Sequence, residues 1–148
     1  MLGRVAVLMM LLLAPANAGA HEFVVGALTI QHPWSRATAP GMSVGVGYMT
    51  IVNRGTKGDV LLSVSTPRAT RVEMHRTSMD QGMMRMRPVD AVPIPASATV
   101  KFEPAGLHLM LVGLSAPLAA GSRLPLTLRF RRAGEVRIEL AVEALGAE

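Results

Sequence analysis

The chain has 148 residues, half of them hydrophobic, with a formal net charge of +5 and no cysteine. That length and apolar content suit one domain with a real core. The missing cysteines exclude disulfides, thiolate zinc sites, iron–sulfur clusters, cysteine nucleophiles and the His-Cys ligand set of blue-copper electron transfer; any metal must be held by His, Met or carboxylate.

The basic excess is mostly Arg and suits docking on acidic protein surfaces or nucleic acid, with a soluble basic protein as the plainer reading. Aromatic residues make up only 3% and are scattered, which argues against a base-stacking nucleic-acid surface. Methionine is abundant, at 11 residues, and Met74, Met79, Met83, Met84 and Met86 crowd into one short segment.

Met1 to Ala20 reads as a secretory signal: Arg4 is the charged start, Val5 to Leu13 the apolar run, and Ala16, Ala18 and Ala20 are the small residues. The run is shorter than the roughly 20 apolar residues a membrane span needs, so an exported, soluble periplasmic protein without stable membrane insertion is expected. Cleavage after Ala18 or after Ala20 would bring His21 to the third or the first mature position. Either terminus offers an amine and an imidazole for Cu(II), which makes His21 an auxiliary metal candidate; a frayed terminus is the plainer alternative.

From residue 21 to 148 the pattern is that of a single all-β domain, with short alternating runs and Gly and Pro punctuation. Strands are expected over Ala27 to Arg36, Ser43 to Asn53, Asp59 to Ser65 and Arg71 to Thr77. The turn Met79-Asp80-Gln81-Gly82 joins this last strand to Met83 to Val89. Val92 to Ile94, Ser97 to Phe102 and Leu107 to Val112 follow. The clearest alternation comes last, with Leu124, Leu126, Leu128 and Phe130 on one face and Val136, Ile138, Leu140 and Val142 on the next strand, joined near Ala133-Gly134. Such a series reads as a β-sandwich or barrel.

Between Val72 and Met110 the chain sets His75, then ten residues, Met86, then twenty-one, His108, then one, Met110. The surrounding text is Val72-Glu73-Met74-His75, Gly82-Met83-Met84-Arg85-Met86-Arg87-Pro88-Val89 and Pro104-Ala105-Gly106-Leu107-His108-Leu109-Met110-Leu111. This resembles the metal motif of the periplasmic copper chaperone family, the PCuAC type, with every ligand position filled, and the likeness runs on through Val142. The resemblance implies a cupredoxin-like Greek-key fold and a Cu(I) site made of His75, Met86, His108 and Met110. It also implies copper supply to cytochrome c oxidase, with a thiol-containing assembly factor as co-worker.

Strand geometry gives the motif a shape. His108 and Met110 point the same way; with Leu107, Leu109 and Leu111 facing the core, that way is outward, at the surface or under a loop. In a hairpin centred between Asp80 and Gln81, His75 falls directly opposite Met86, a pairing that a shifted turn would spoil. Two neutral imidazoles and two soft thioethers favour Cu(I) over Zn(II), Ca(II) or Mg(II). Because protonated imidazole cannot bind, copper affinity is expected to fall as pH drops through the imidazole range, roughly 6.5.

Met84 shares the strand face of Met86 and is an auxiliary metal candidate, balanced against packing. Met74 and Met83 are expected to pack, Met42 and Met49 to be core or loop, and His32 to be structural. Arg76, Arg85 and Arg87 are read either as solvated charges or as a docking surface for an acidic partner. No serine triad, phosphate loop or carboxylate pair suggests an enzyme. Copper buffering without a specific acceptor remains the alternative to delivery. A second copper site in a Met- and His-rich tail is not expected, since Ala141 to Glu148 contains neither residue.

Overall fold

The computed structural model describes residues 21–146, so the signal segment and its cleavage point lie outside the described residues. Eleven strands and no helix make up this part of the chain: β1 (Glu22–Val25), β2 (Leu28–Arg36), β3 (Val44–Asn53), β4 (Asp59–Ser65), β5 (Ala69–Asp80), β6 (Met83–Pro88), β7 (Val92–Ile94), β8 (Thr99–Phe102), β9 (Leu107–Leu114), β10 (Arg123–Phe130) and β11 (Gly134–Glu143). The all-β expectation holds. Strands β4 and β7 fall where the alternation placed them, whereas β1 was not anticipated and β5 is longer than expected.

The strands form one path in the order β6-β5-β9-β8-β3-β2-β11-β10-β4-β7, with β1 added on β2 and β9 also paired with β3. All pairings are antiparallel except β11 with β2 and β8 with β9. The path leaves β6 and β7 as edges, so β9 is a central strand and β6 an edge strand.

Alternation decides which residues fill the core. Leu124, Leu126, Leu128 and Phe130 of β10 are buried with Ile138, Leu140 and Val142 of β11, and Leu107, Leu109 and Leu111 of β9 join them. Burying each such side chain stabilises the fold by about 1.5–3 kcal/mol before the entropy of ordering is charged. On β3 the core face carries Met49 and Ile51 together with Gly45 and Gly47. A Cβ on Gly47 would lie 3.1 Å from Leu140 Cδ1, so glycine is what lets β3 approach the apolar layer. The other face of β3 buries Tyr48 against Trp34 of β2, ring centroids 4.6 Å apart, with the Arg36 guanidinium over both. Burial pushes the Tyr48 hydroxyl pKa up, partly offset by the Arg36 charge.

Asp59 anchors the far end of the molecule. Its carboxylate accepts backbone N–H groups of Val60, Arg132 and Ala133 at 2.7–2.9 Å, tying β4 to the β10–β11 turn. Burial alone would raise its pKa, but these donors and the Arg132 charge outweigh that and hold it below the ordinary carboxylate value.

Candidate metal centre

Strand β5 lies between β6 and β9 and aligns all four motif residues on one sheet face. On the β9 side His75 pairs directly with His108, and Glu73 with Met110. On the β6 side His75 pairs with Pro88, Thr77 with Met86, and Met79 with Met84. The expected opposition of His75 and Met86 is therefore wrong: Met86 is the diagonal neighbour of His75, one rung along.

The cause is the turn. Asp80 pairs with Met83, leaving Gln81 and Gly82 as a two-residue connection, both at positive φ (50° and 77°), the conformation favoured by hairpin twist and by glycine at the second position. The hairpin centre thus sits one residue later than expected. Moving a centre by one residue moves every partner by two, so Met86 keeps its face while losing its rung. Diagonal neighbours remain within reach of long side chains.

The two imidazoles form the middle of the site. Their ring centroids are 5.7 Å apart and their planes are inclined by 48°. His108 is only 5% exposed, more enclosed than an outward-facing surface position would be, and the His75 side chain is also largely covered. Each ring has one nitrogen engaged: His75 Nε2 with Glu73 Oε2 at 2.8 Å, and His108 Nδ1 with the Gly106 carbonyl at 3.1 Å. In the neutral tautomers these nitrogens donate. The other nitrogens, His75 Nδ1 and His108 Nε2, are buried and have no hydrogen-bond partner among the described residues.

An unpartnered buried polar atom costs about 1–3 kcal/mol. Two on facing rings, each with its opposite nitrogen tied to an acceptor, make the arrangement that metal-binding imidazoles adopt. Glu73 carries charge beside the site. Hydrogen bonds from Arg71 and His75 hold its carboxyl below the ordinary range. Its orienting position two residues from His75 was visible only as a neighbouring acid. The pairing that aims it is set by the strand.

The two motif thioethers differ in exposure. Met110 is half-buried on β9, whereas Met86 is 51% exposed on β6. Met84 is 68% exposed. Met74 and Met49 are core residues and Met42 is exposed, as expected, but Met83 is 63% exposed and does not pack; it sits on the edge strand beside the turn, with no layer above it. Arg76 and Arg87 pair across the hairpin, and with Arg85, which bonds Asp80 at 3.2 Å, they occupy the face opposite the imidazoles by strand alternation. No cluster of three His, Cys, Asp or Glu side chains suited to a metal occurs among the described residues; a metal on the His pair needs the thioethers to complete its shell.

His21 lies away from this site. Its Nε2 accepts from Arg123 Nη2 at 2.7 Å. His32 sits in a β2 bulge at φ 44°, with Nε2 3.7 Å from Glu143. Neither joins the motif residues. Tyr48 follows directly on the β3 segment paired with β9, where Gly47 faces Leu109.

The lipoprotein LpqE-like family matches residues 28–142. The chain belongs to this LpqE-like, or PCuAC, family. Among PCuAC structures, the copper-bound PCuAC domain from PmoF2 is 35% identical with a TM-score of 0.73, covering 84% of this chain and 98% of that domain. DR1885 from Deinococcus radiodurans, solved with Cu(I), is 29% identical with a TM-score of 0.63, covering 85% of this chain and 83% of its own. The fold is thus the cupredoxin-like one expected. Lxx21020 of Leifsonia xyli subsp. xyli, named as a lipoprotein, is 30% identical over 117 residues. RP573 of Rickettsia prowazekii is 32% identical over 122 residues. The matches cover 69% and 63% of those two proteins.

Proposed function

We propose that this protein is a periplasmic copper chaperone that carries one Cu(I) on His75, Met86, His108 and Met110. The observation that carries the reading is the pair of buried, unpartnered nitrogens on directly facing strands, with two thioethers on the same sheet face. Relatives whose structures hold copper or Cu(I) support the choice of ion.

The donor set explains why a carrier could both hold and release. Four neutral ligands leave the ion's charge uncompensated, which suits a monovalent ion. Glu73 and the Gly106 carbonyl fix the imidazole orientations, so little reorganisation is needed when copper binds. Release then begins from Met86, the exposed ligand: an incoming thiolate displaces that thioether, takes a share of the ion, and the remaining three ligands follow.

The acceptor in this reading is the copper centre of cytochrome c oxidase, or a thiol-containing factor that assembles it. Export rests on Met1 to Ala20, outside the described residues. Among the described residues no helix is long and apolar enough to cross a membrane.

Anaerobic competition of the exported protein against a chromogenic Cu(I) chelator tests the reading. One tight equivalent is expected, lost in a His108→Ala, Met110→Leu double variant. No competition by the wild type would sink it.

A further inference from the structure

The exposed methionines of the β5–β6 hairpin are left unexplained by a four-ligand site. Exposed thioether surface is concentrated there: Met79, Met83, Met84 and Met86 account for four of the seven large hydrophobic side chains on the described surface. All six residues of β6 are exposed, so no core demands apolar side chains at these positions.

Their register is specific. Met79 and Met84 are direct cross-strand partners, which sets their Cβ atoms about 5 Å apart on one face. That face is the one bearing His75, His108 and Met110, because Met79 follows His75 by four residues and Met84 precedes Met86 by two. The Met79–Met84 rung lies roughly 13 Å from His75 along the strand, and Met86 opposite Thr77 occupies the rung between, about 7 Å from each. The opposite face of the same hairpin carries Arg76, Arg85 and Arg87. Met83, the partner of Asp80, lies on that guanidinium face, so three of the four exposed hairpin thioethers, Met79, Met84 and Met86, share the imidazole face.

We propose that Met79 and Met84 form a second, outer Cu(I) site, a thioether pair at the hairpin tip that receives the ion and passes it through Met86 to the imidazoles. This rests on the reading of the inner site given above. Two opposed thioethers can hold Cu(I) in the low coordination that a soft monovalent ion accepts, and with no imidazole they bind it more weakly than the inner set. Each step inward adds a ligand before the last is released: Met84 and Met86 are i and i+2 on one strand, and Met86 is the diagonal neighbour of His75. The copper remains Cu(I) throughout, so no electron or proton moves.

The test follows the methionine Cε methyl signals by NMR during titration with Ag(I), a redox-stable stand-in for Cu(I), in the exported protein. The first equivalent is expected to shift Met86 and Met110, and a second, at least tenfold weaker, to shift Met79 and Met84. In a His75→Ala, His108→Ala variant, whose folding is checked by the core methyls of Met49 and Met74, Met79 and Met84 should still shift. In Met79→Leu, Met84→Leu, which keeps volume on an exposed strand, the second equivalent should vanish. Wild-type Met79 and Met84 signals that stay unmoved through two equivalents would overturn the outer site. Unmoved Met86 and Met110 signals would instead overturn the inner one, so the two failures are distinct.

Discussion

Strands β9 and β6 each contribute a thioether to the same face, yet they are opposites in every other respect. Strand β9 is central, with Leu107, Leu109 and Leu111 buried beneath it and His108 enclosed above. Strand β6 is an edge with no buried residue. The proposed carrier function would use both: a buried half that sets geometry before the ion arrives, and an open half that an acceptor can reach. The contrast also separates cost from use. Apolar side chains on β9 stabilise the fold, whereas those on β6, all exposed, contribute almost nothing to it, and the proposed copper chemistry is what would account for them.

The sharpest way to break this comparison is to remove one ligand from each strand. His108→Ala should weaken Cu(I) binding on the order of 1,000-fold, about 4 kcal/mol, and Met86→Leu only about 10-fold, about 1.4 kcal/mol, by chelator competition. Equal losses would mean that the buried half holds no privileged geometry.

Stability should divide the same way. Leu109→Ala, between His108 and Met110 and fully buried, should cost about 3 kcal/mol in denaturant unfolding. Met84→Ala should fall within about 0.5 kcal/mol of wild type. A large cost at Met84 would indicate packing unseen in this fold.

How much of this was legible beforehand depends on the range of the signal. Local alternation placed β4, β7 and the β10–β11 pair, because a half-buried strand writes its two faces into the sequence. The spacing of His75, Met86, His108 and Met110 singled out residues that the strands bring to one sheet face. The direct pairing of His75 with His108 was not readable, since it joins residues 33 apart through a register set by the whole of β5 and β9. The hairpin register failed on a single residue of turn position, decided by Gly82 taking positive φ after Gln81. Strand β1 escaped because its four residues, Glu22–Val25, carry too little alternation to stand out by themselves. Met83 was misjudged because its exposure depends on β6 being an edge, a property of topology rather than of its neighbours in sequence.

Glu73 sharpens the buried half further. Glu73→Gln keeps the shape but weakens the acceptor for His75 Nε2, and copper affinity should drop about 10-fold. The same residue sets an acid limit on stability. Its folded pKa lies below the ordinary carboxylate value, so its contribution is present above about pH 4.3 and is lost as pH falls through the lower folded value. The difference in Tm between wild type and Glu73→Gln should therefore shrink on acidification below about pH 4.

The smallest effect belongs to the turn. Gln81 holds φ 50°, which asparagine adopts more readily than glutamine. Gln81→Asn should raise stability by roughly 0.5 kcal/mol in denaturant unfolding and leave the register in place.

The most direct measurement of the central claim is X-ray absorption at the copper edge of the anaerobically Cu(I)-loaded protein, beside the His75→Ala, His108→Ala variant. A site built by β5, β6 and β9 together predicts a mixed shell, two nitrogen and two sulfur neighbours, with the nitrogen lost in the variant. A shell of nitrogen and oxygen without sulfur, or one unchanged by the variant, would contradict it.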